Sequence, residues 1–246
     1  MRYFIELSYN GKAYHGWQIQ PNAISVQEVL ETALSTVLQS KISIMGAGRT
    51  DAGVHASQMF AHFDYEQVLE DNLVFKLNSF LPDDIAIHTI FQVHKDTHAR
   101  FDALSRTYKY KISIKKNVFN SDFAYAYYNR LDVDVMNEAC KMLLHYKDFQ
   151  CFSKVHTDVK TYHCNIMFAQ WSSKEDQLIF TITADRFLRN MVRAIVGTMI
   201  NIGLNKINLE DLHRIIESKD RGEAGFSVPA HGLYLTTIEY PNTITI

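Results

Sequence analysis

The chain has 246 residues, 47% of them hydrophobic and 21% charged, with a formal net charge of −2. This is the composition of an ordinary globular protein with enough chain for two modest domains, and it excludes a disordered, collagen-like or low-complexity chain. No apolar run reaches the roughly 18–20 residues that cross a bilayer, residues 1–6 meet a charge too early for a secretory leader, and Cys140, Cys151 and Cys164 show no Cys-x-x-Cys spacing, which points to a reducing cytoplasm rather than a disulfide framework or thiolate zinc site.

Residues 3–9 alternate apolar and polar side chains as a strand does, and Asn10-Gly11 breaks the pattern. Ser25 and Glu28 have the spacing of a capping box that opens a helix to about Leu38, with Val29, Leu30, Ala33, Leu34 and Val37 inward. A strand over 41–45 enters a loop of small residues, and a strand over 56–65 leaves it. A helix over 71–80 stops before Leu81-Pro82, and 85–93 is a strand. The second half repeats this rhythm: strands over 107–114, 166–172 and 178–184, helices over 132–146, 187–202 and 209–216, and a closing strand over 233–240. Strands interrupted by helices indicate an α+β fold with largely antiparallel sheets and flanking helices. The two similar halves predict two related domains, 1–103 and 104–246, meeting at a cleft. No Pro/Gly/Ser-rich linker separates them, so rigid packing is expected.

The densest cue to chemistry is Gly46-Ala47-Gly48-Arg49-Thr50-Asp51-Ala52-Gly53-Val54-His55-Ala56. It sets one carboxylate in a small-residue loop between two apolar strands, two residues after an arginine. Such loops let a substrate's backbone come close. A lone Asp-Ala-Gly would read as a turn aspartate. A dinucleotide reading fails because the next glycine is Gly53, which breaks the G-x-G-x-x-G spacing. Asp51 and His55 lack a third metal ligand at suitable spacing, since His94 and His98 lie in another segment, and His62 and His88 read as strand residues. Asp83 and Asp84 are adjacent, so on a strand they point apart and make a poor catalytic pair.

Charge distribution says more than net charge. Between 95 and 116 the chain carries Lys95, Arg100, Arg106, Lys109, Lys111, Lys115 and Lys116 against Asp96 and Asp102. Acid gathers elsewhere, in Asp64, Glu66, Glu70, Asp71, Asp83 and Asp84. On a helix over 187–202, Arg186, Arg189 and Arg193 fall at steps of three and four and share a side. Arg186 and Arg189 would then sit in its first turn, where cations oppose the helix dipole unless an anion is near. In the strand Arg106-Thr107-Tyr108-Lys109-Tyr110, alternation puts Tyr108 and Tyr110 on one face and Lys109 and Lys111 on the other.

The run Gly48-Arg49-Thr50-Asp51-Ala52-Gly53-Val54-His55 resembles the active-site motif of the tRNA pseudouridine synthase A family. Other segments resemble that family in the same order: Tyr9-Asn10-Gly11 through Tyr14-His15-Gly16-Trp17-Gln18-Ile19-Gln20, then Ala99-Arg100-Phe101, Arg106-Thr107-Tyr108-Lys109-Tyr110, Phe187-Leu188-Arg189-Asn190-Met191-Val192-Arg193 and Ala230-His231-Gly232-Leu233. Together they cover essentially the whole chain. Two departures stand out: Gln58-Met59 where many members carry Gly-Gln, and Val228 where an alanine is common.

The resemblance implies the pseudouridine synthase fold, with a basic active-site cleft between its domains. It implies isomerisation of uridine to pseudouridine at tRNA positions 38, 39 and 40 in the anticodon stem-loop, with no cofactor and no metal, by a cytoplasmic homodimer. By the same resemblance Asp51 is the essential carboxylate, attacking C1′ or taking a proton from C2′. Arg189 pairs with it, Tyr108 stacks on the uracil and Arg49 helps extrude the nucleotide. Arg106, Lys109, Lys111, Arg186 and Arg193 are left for the RNA backbone. The alternatives are a non-catalytic RNA-binding protein or chaperone, and a metal-dependent or carboxylate-pair hydrolase using Asp51 with His55 or with Asp83 and Asp84.

Overall fold

A computed structural model of the chain describes residues 1–154 and 159–245. The elements in chain order are β1 (Arg2–Tyr9), α1 (Val26–Val37), β2 (Met45–Gly46), β3 (His55–Asp64), α2 (Leu73–Phe80), β4 (Ile85–Val93), β5 (Ser105–Ser113), β6 (Tyr125–Ala126), α3 (Val133–Leu143), β7 (Ile166–Lys174), β8 (Gln177–Ala184), α4 (Met191–Gly203), α5 (Leu209–Ser218) and β9 (Leu233–Glu239). Most strand pairs are antiparallel and helices flank them, an α+β fold. The chain divides into two compact units, Met1–Arg106 with Tyr234–Ile246, and Thr107–Leu233. The closing segment thus clusters with the first unit, whereas the sequence reading grouped it with 104–246.

In the first unit the strand order is β4-β1-β3-β9. β1 is antiparallel to both β3 and β4. β9 runs parallel to β3, with His55 opposite Tyr234. Central position changes the alternation expected of β1: Phe4 and Ile5 point to opposite faces, yet both are fully buried. Phe4 lies in a ring cluster with Phe60, Phe91 and Tyr240, at centroid distances of 6.3, 5.9 and 5.3 Å. Helix α1 begins as expected, Ser25 Oγ accepting from the Glu28 amide at 3.2 Å, and buries Leu30, Ala33 and Leu34. The reciprocal capping box forms at α5, between Asn208 and Asp211.

The strand expected over 41–45 shrinks to Met45–Gly46. Ile42 and Ile44 are buried, but their amides donate to Ser35 Oγ (2.9 Å) and Glu31 Oε1 (2.9 Å) of α1, which takes them out of strand pairing. Gln58 and Met59 are accommodated by a bulge: the β1–β3 register shifts between Leu7↔Met59 and Tyr9↔Ala56. Gln58 fills the irregularity, its Nε2 donating to Glu6 Oε1 (2.8 Å) and its Oε1 accepting from the Ile238 amide (2.9 Å).

In the second unit β5, β8 and β7 are neighbours in that order, and β7 and β8 pair antiparallel from Ile166↔Ala184 to Lys174↔Gln177. Asp132 caps α3, its carboxylate accepting from the amides of Asp134 and Val135, and the helix ends at Leu143 rather than near 146. Helix α4 is almost wholly buried. It begins at Met191, not near 187, because Asn190 takes a left-handed conformation (φ 67, ψ 0) that no α-helix continues through. Arg186 and Arg189 therefore lie in a loop before the helix. The shared helical side and the dipole argument drawn from the 187–202 spacing do not hold.

Candidate active site

Asp51 sits half-buried between β2 and β3, and its carbonyl accepts from the Val54 amide at 3.2 Å. The loop that holds it is fixed by the N-terminal segment after β1. The buried Thr50 exchanges a hydroxyl hydrogen bond with Tyr9 (2.8 Å), and its carbonyl accepts from the Trp17 amide (3.2 Å). The Gly53 amide donates to the Tyr14 carbonyl (3.2 Å). Gly16 has φ +91, and a Cβ there would fall 2.3 Å from the Thr50 carbonyl oxygen, so only glycine lets the two backbones approach. The Trp17 indole packs against Gly46. The N-terminal segment, which the sequence offered only as a family likeness, is therefore the loop's scaffold. Its local signal was the combination of Asn-Gly with two buried aromatics.

His55 is buried and faces inward: its Nδ1 accepts from the Gly11 amide at 3.1 Å, and its ring stacks on Tyr234 at 4.7 Å. These contacts give it a packing role beside Asp51. Asp84 is likewise engaged, its carboxylate accepting from the Tyr14 hydroxyl. The three cysteines are buried, which pushes each thiol up to about 12 and keeps it protonated, so none is a nucleophile. Among the described residues no three His, Cys, Asp or Glu side chains group as a metal site.

The arginines and lysines separate into different kinds. Arg49 is exposed beside Asp51. Arg106 turns toward main chain: Nη1 donates to the Ala103 carbonyl (3.1 Å), and Nη2 to the carbonyls of Ala47 (3.0 Å) and Arg100 (2.5 Å). It ties the motif loop to the segment before β5, a positioning role that its charge alone did not reveal.

In the second unit Tyr110 is buried, its hydroxyl donating to the Pro229 carbonyl at 2.8 Å, whereas Tyr108 is half-buried and packs T-shaped with Phe187, ring centroids 5.1 Å apart. That contact brings the tyrosine to the Phe187-Leu188-Arg189 segment. Arg189 is exposed, and its carbonyl accepts from the Lys154 amide (3.0 Å). Arg193, on the first turn of α4, donates from Nε to the Val228 carbonyl (2.7 Å). Arg186 is half-buried and reaches the Thr161 carbonyl at 3.4 Å. Lys109 is exposed. Lys111 is half-buried, and burial, helped by Lys109 and Lys174, lowers its pKa.

Tyr108 thus touches Phe187, two residues before the exposed Arg189, and Asp51 lies half-buried in the motif loop. Comparison with known proteins shows the family. A family profile described as tRNA pseudouridine synthase matches residues 7–102 and 139–241. The chain is 53% identical to the tRNA pseudouridine synthase A of Parabacteroides distasonis over 246 residues, covering 99% of this chain and 97% of that protein. It is 54% identical to that of Bacteroides fragilis (99% and 98% covered) and 38% identical to that of Bacillus subtilis (98% and 100% covered). The chain belongs to the tRNA pseudouridine synthase family.

Proposed function

We propose that this protein isomerises uridine to pseudouridine at positions 38, 39 and 40 of tRNA. The N1–C1′ bond breaks, the uracil turns, C5 joins C1′, and the C5 proton leaves as N1 takes one up. The observation that carries the reading is the Asp51 loop, whose flanking residues Thr50 and Gly53 are bonded to the N-terminal segment by main-chain hydrogen bonds and the Tyr9–Thr50 hydroxyl pair. A preformed loop holds its reacting group in place before substrate arrives, which is where orientation lowers the barrier.

In this proposal Asp51 acts on the ribose, attacking C1′ or taking the C2′ proton. Arg189 keeps it ionised and oriented. Tyr108 packs on the uracil, where stacking contributes roughly 1–3 kcal/mol, and Arg49 helps extrude the nucleotide. Lys109, Lys111, Arg186 and Arg193 hold phosphates, a salt-sensitive and largely sequence-independent attraction. The working form is a cytoplasmic homodimer, and the chemistry needs no cofactor or metal. Among the described residues no helix is long and apolar enough to cross a membrane.

The test is to treat unmodified tRNA transcripts with the protein and map pseudouridine by carbodiimide-dependent reverse-transcription stops. Stops confined to positions 38–40 are expected. Binding without any stop would replace this reading with the non-catalytic one, and stops elsewhere would move the substrate.

A further inference from the structure

Beside the motif loop the first unit presents a second aromatic feature. Phe101 is 73% exposed. Its ring lies 4.3 Å from that of His98, and the Arg100 guanidinium is 5.6 Å from its centroid, within cation–π range. Single exposed apolar residues are common, but this one is braced on every side of its turn. His98 Nδ1 accepts from the amides of Arg100 (3.1 Å) and Phe101 (3.4 Å), and Asp102 accepts from the His98 amide (2.7 Å). The Ala99 amide donates to the buried His62 Nδ1 (3.1 Å), and the Tyr240 hydroxyl donates to the Ala99 carbonyl. Nδ1 as acceptor puts the imidazole proton on Nε2 and leaves the ring neutral, so it supports Phe101 as an aromatic neighbour. Arg106 then joins this turn to the motif loop, one nitrogen donating to both Arg100 and Ala47 carbonyls.

A rigid, exposed ring carrying a cation, tied to the loop that bears the reactive carboxylate, has the features of a single-strand nucleic-acid platform. Aromatic faces accept any unpaired base, and a guanidinium at the ring both stacks and attracts phosphate. We propose that Phe101, with Arg100, stacks an unpaired nucleobase of the RNA substrate other than the one isomerised. The proposal rests on the tRNA-modifying reading and adds a second base contact to it. Arg100 favours this occupant over an apolar surface of another copy of the chain, because closing such an interface would strip water from the guanidinium.

The experiment measures binding of a fluorescein-labelled anticodon stem-loop RNA to the full-length wild type, Phe101→Ala, Phe101→Trp and Phe101→Leu, with melting and sedimentation run alongside. Phe101→Ala is expected to weaken binding about 5- to 150-fold, the range of base–aromatic stacking, at unchanged melting temperature and mass. Phe101→Trp should restore binding and Phe101→Leu should not. RNAs with single abasic replacements through the loop should reveal one position at which the wild type loses affinity and Phe101→Ala loses none. Full binding by Phe101→Ala or Phe101→Leu, an additive effect at every abasic position, or a change in sedimenting mass would each overturn the platform. Pseudouridine mapping with wild type judges the underlying activity separately, so the two failures are distinguishable.

Discussion

Asp51 is held by what surrounds it rather than by a helix or strand of its own, and the glycines near it divide by what they approach. Gly16 has a left-handed φ and meets the Thr50 carbonyl. Gly48 has no left-handed φ, and a Cβ there would meet nothing within 4 Å. Gly16→Ala should therefore lower stability by on the order of 2 kcal/mol and displace the loop, losing activity with it. Gly48→Ala should unfold in urea with the wild-type midpoint. A drop in its activity at that unchanged midpoint would mark Gly48 as a place where RNA comes close, and a shift in its midpoint would contradict the open space described here. Arg106 adds a lesson at the same scale. Its sequence neighbours, Lys109 and Lys111, make it look like one more phosphate contact, but its guanidinium also donates to three main-chain carbonyls.

Among the elements, the helices and strands with clear periodicity were legible in sequence to within a few residues. Strand 85–93 matches β4, and the Ser25 cap opens α1 one residue later. The loss of strand over 41–44 was not legible, because it depends on Ser35 and Glu31 of α1 capturing two amides across space. The start of α4 is hidden in the sequence for a local reason. The residues of 187–190 suit a helix, and only the conformation of Asn190 interrupts it. The motif loop and Tyr108 were legible as candidates, while the loop's scaffold in residues 9–17 and the platform at Phe101 depend on contacts between distant segments. Asn190 makes this account testable. Asparagine tolerates the left-handed region, and its Nδ2 also donates to Ser227 Oγ at 2.6 Å. Asn190→Val should cost about 1–2 kcal/mol in urea unfolding, and Asn190→Gly, which accepts the same φ, should cost less. Equal losses would place the whole effect in the Ser227 bond.

For the molecule as a whole, part of the response to pH lies in the histidines of the first unit. His62 is buried, and burial followed by the Arg2 charge brings its pKa from 6.5 down to about 4. His98 moves in the same direction, again mainly through burial. Between those values the unfolded chain binds more protons than the folded one, so the contribution is complete above about pH 6.5 and is lost as pH falls toward 4. Asp64, held below the usual carboxylate range by its hydrogen bond to Arg2, loses its contribution at still lower pH. The urea midpoint should therefore fall between pH 7 and pH 4.5, and His62→Asn, which keeps an acceptor and removes the titration, should flatten that slope. An unchanged slope in the variant would assign the effect to other groups. The central claim concerns Asp51, and tritium release from tRNA labelled at uracil C5 tests it most directly. The account predicts release by the wild-type chain and none above background by Asp51→Ala, with RNA binding retained in both. Release by Asp51→Ala at the wild-type rate would contradict it.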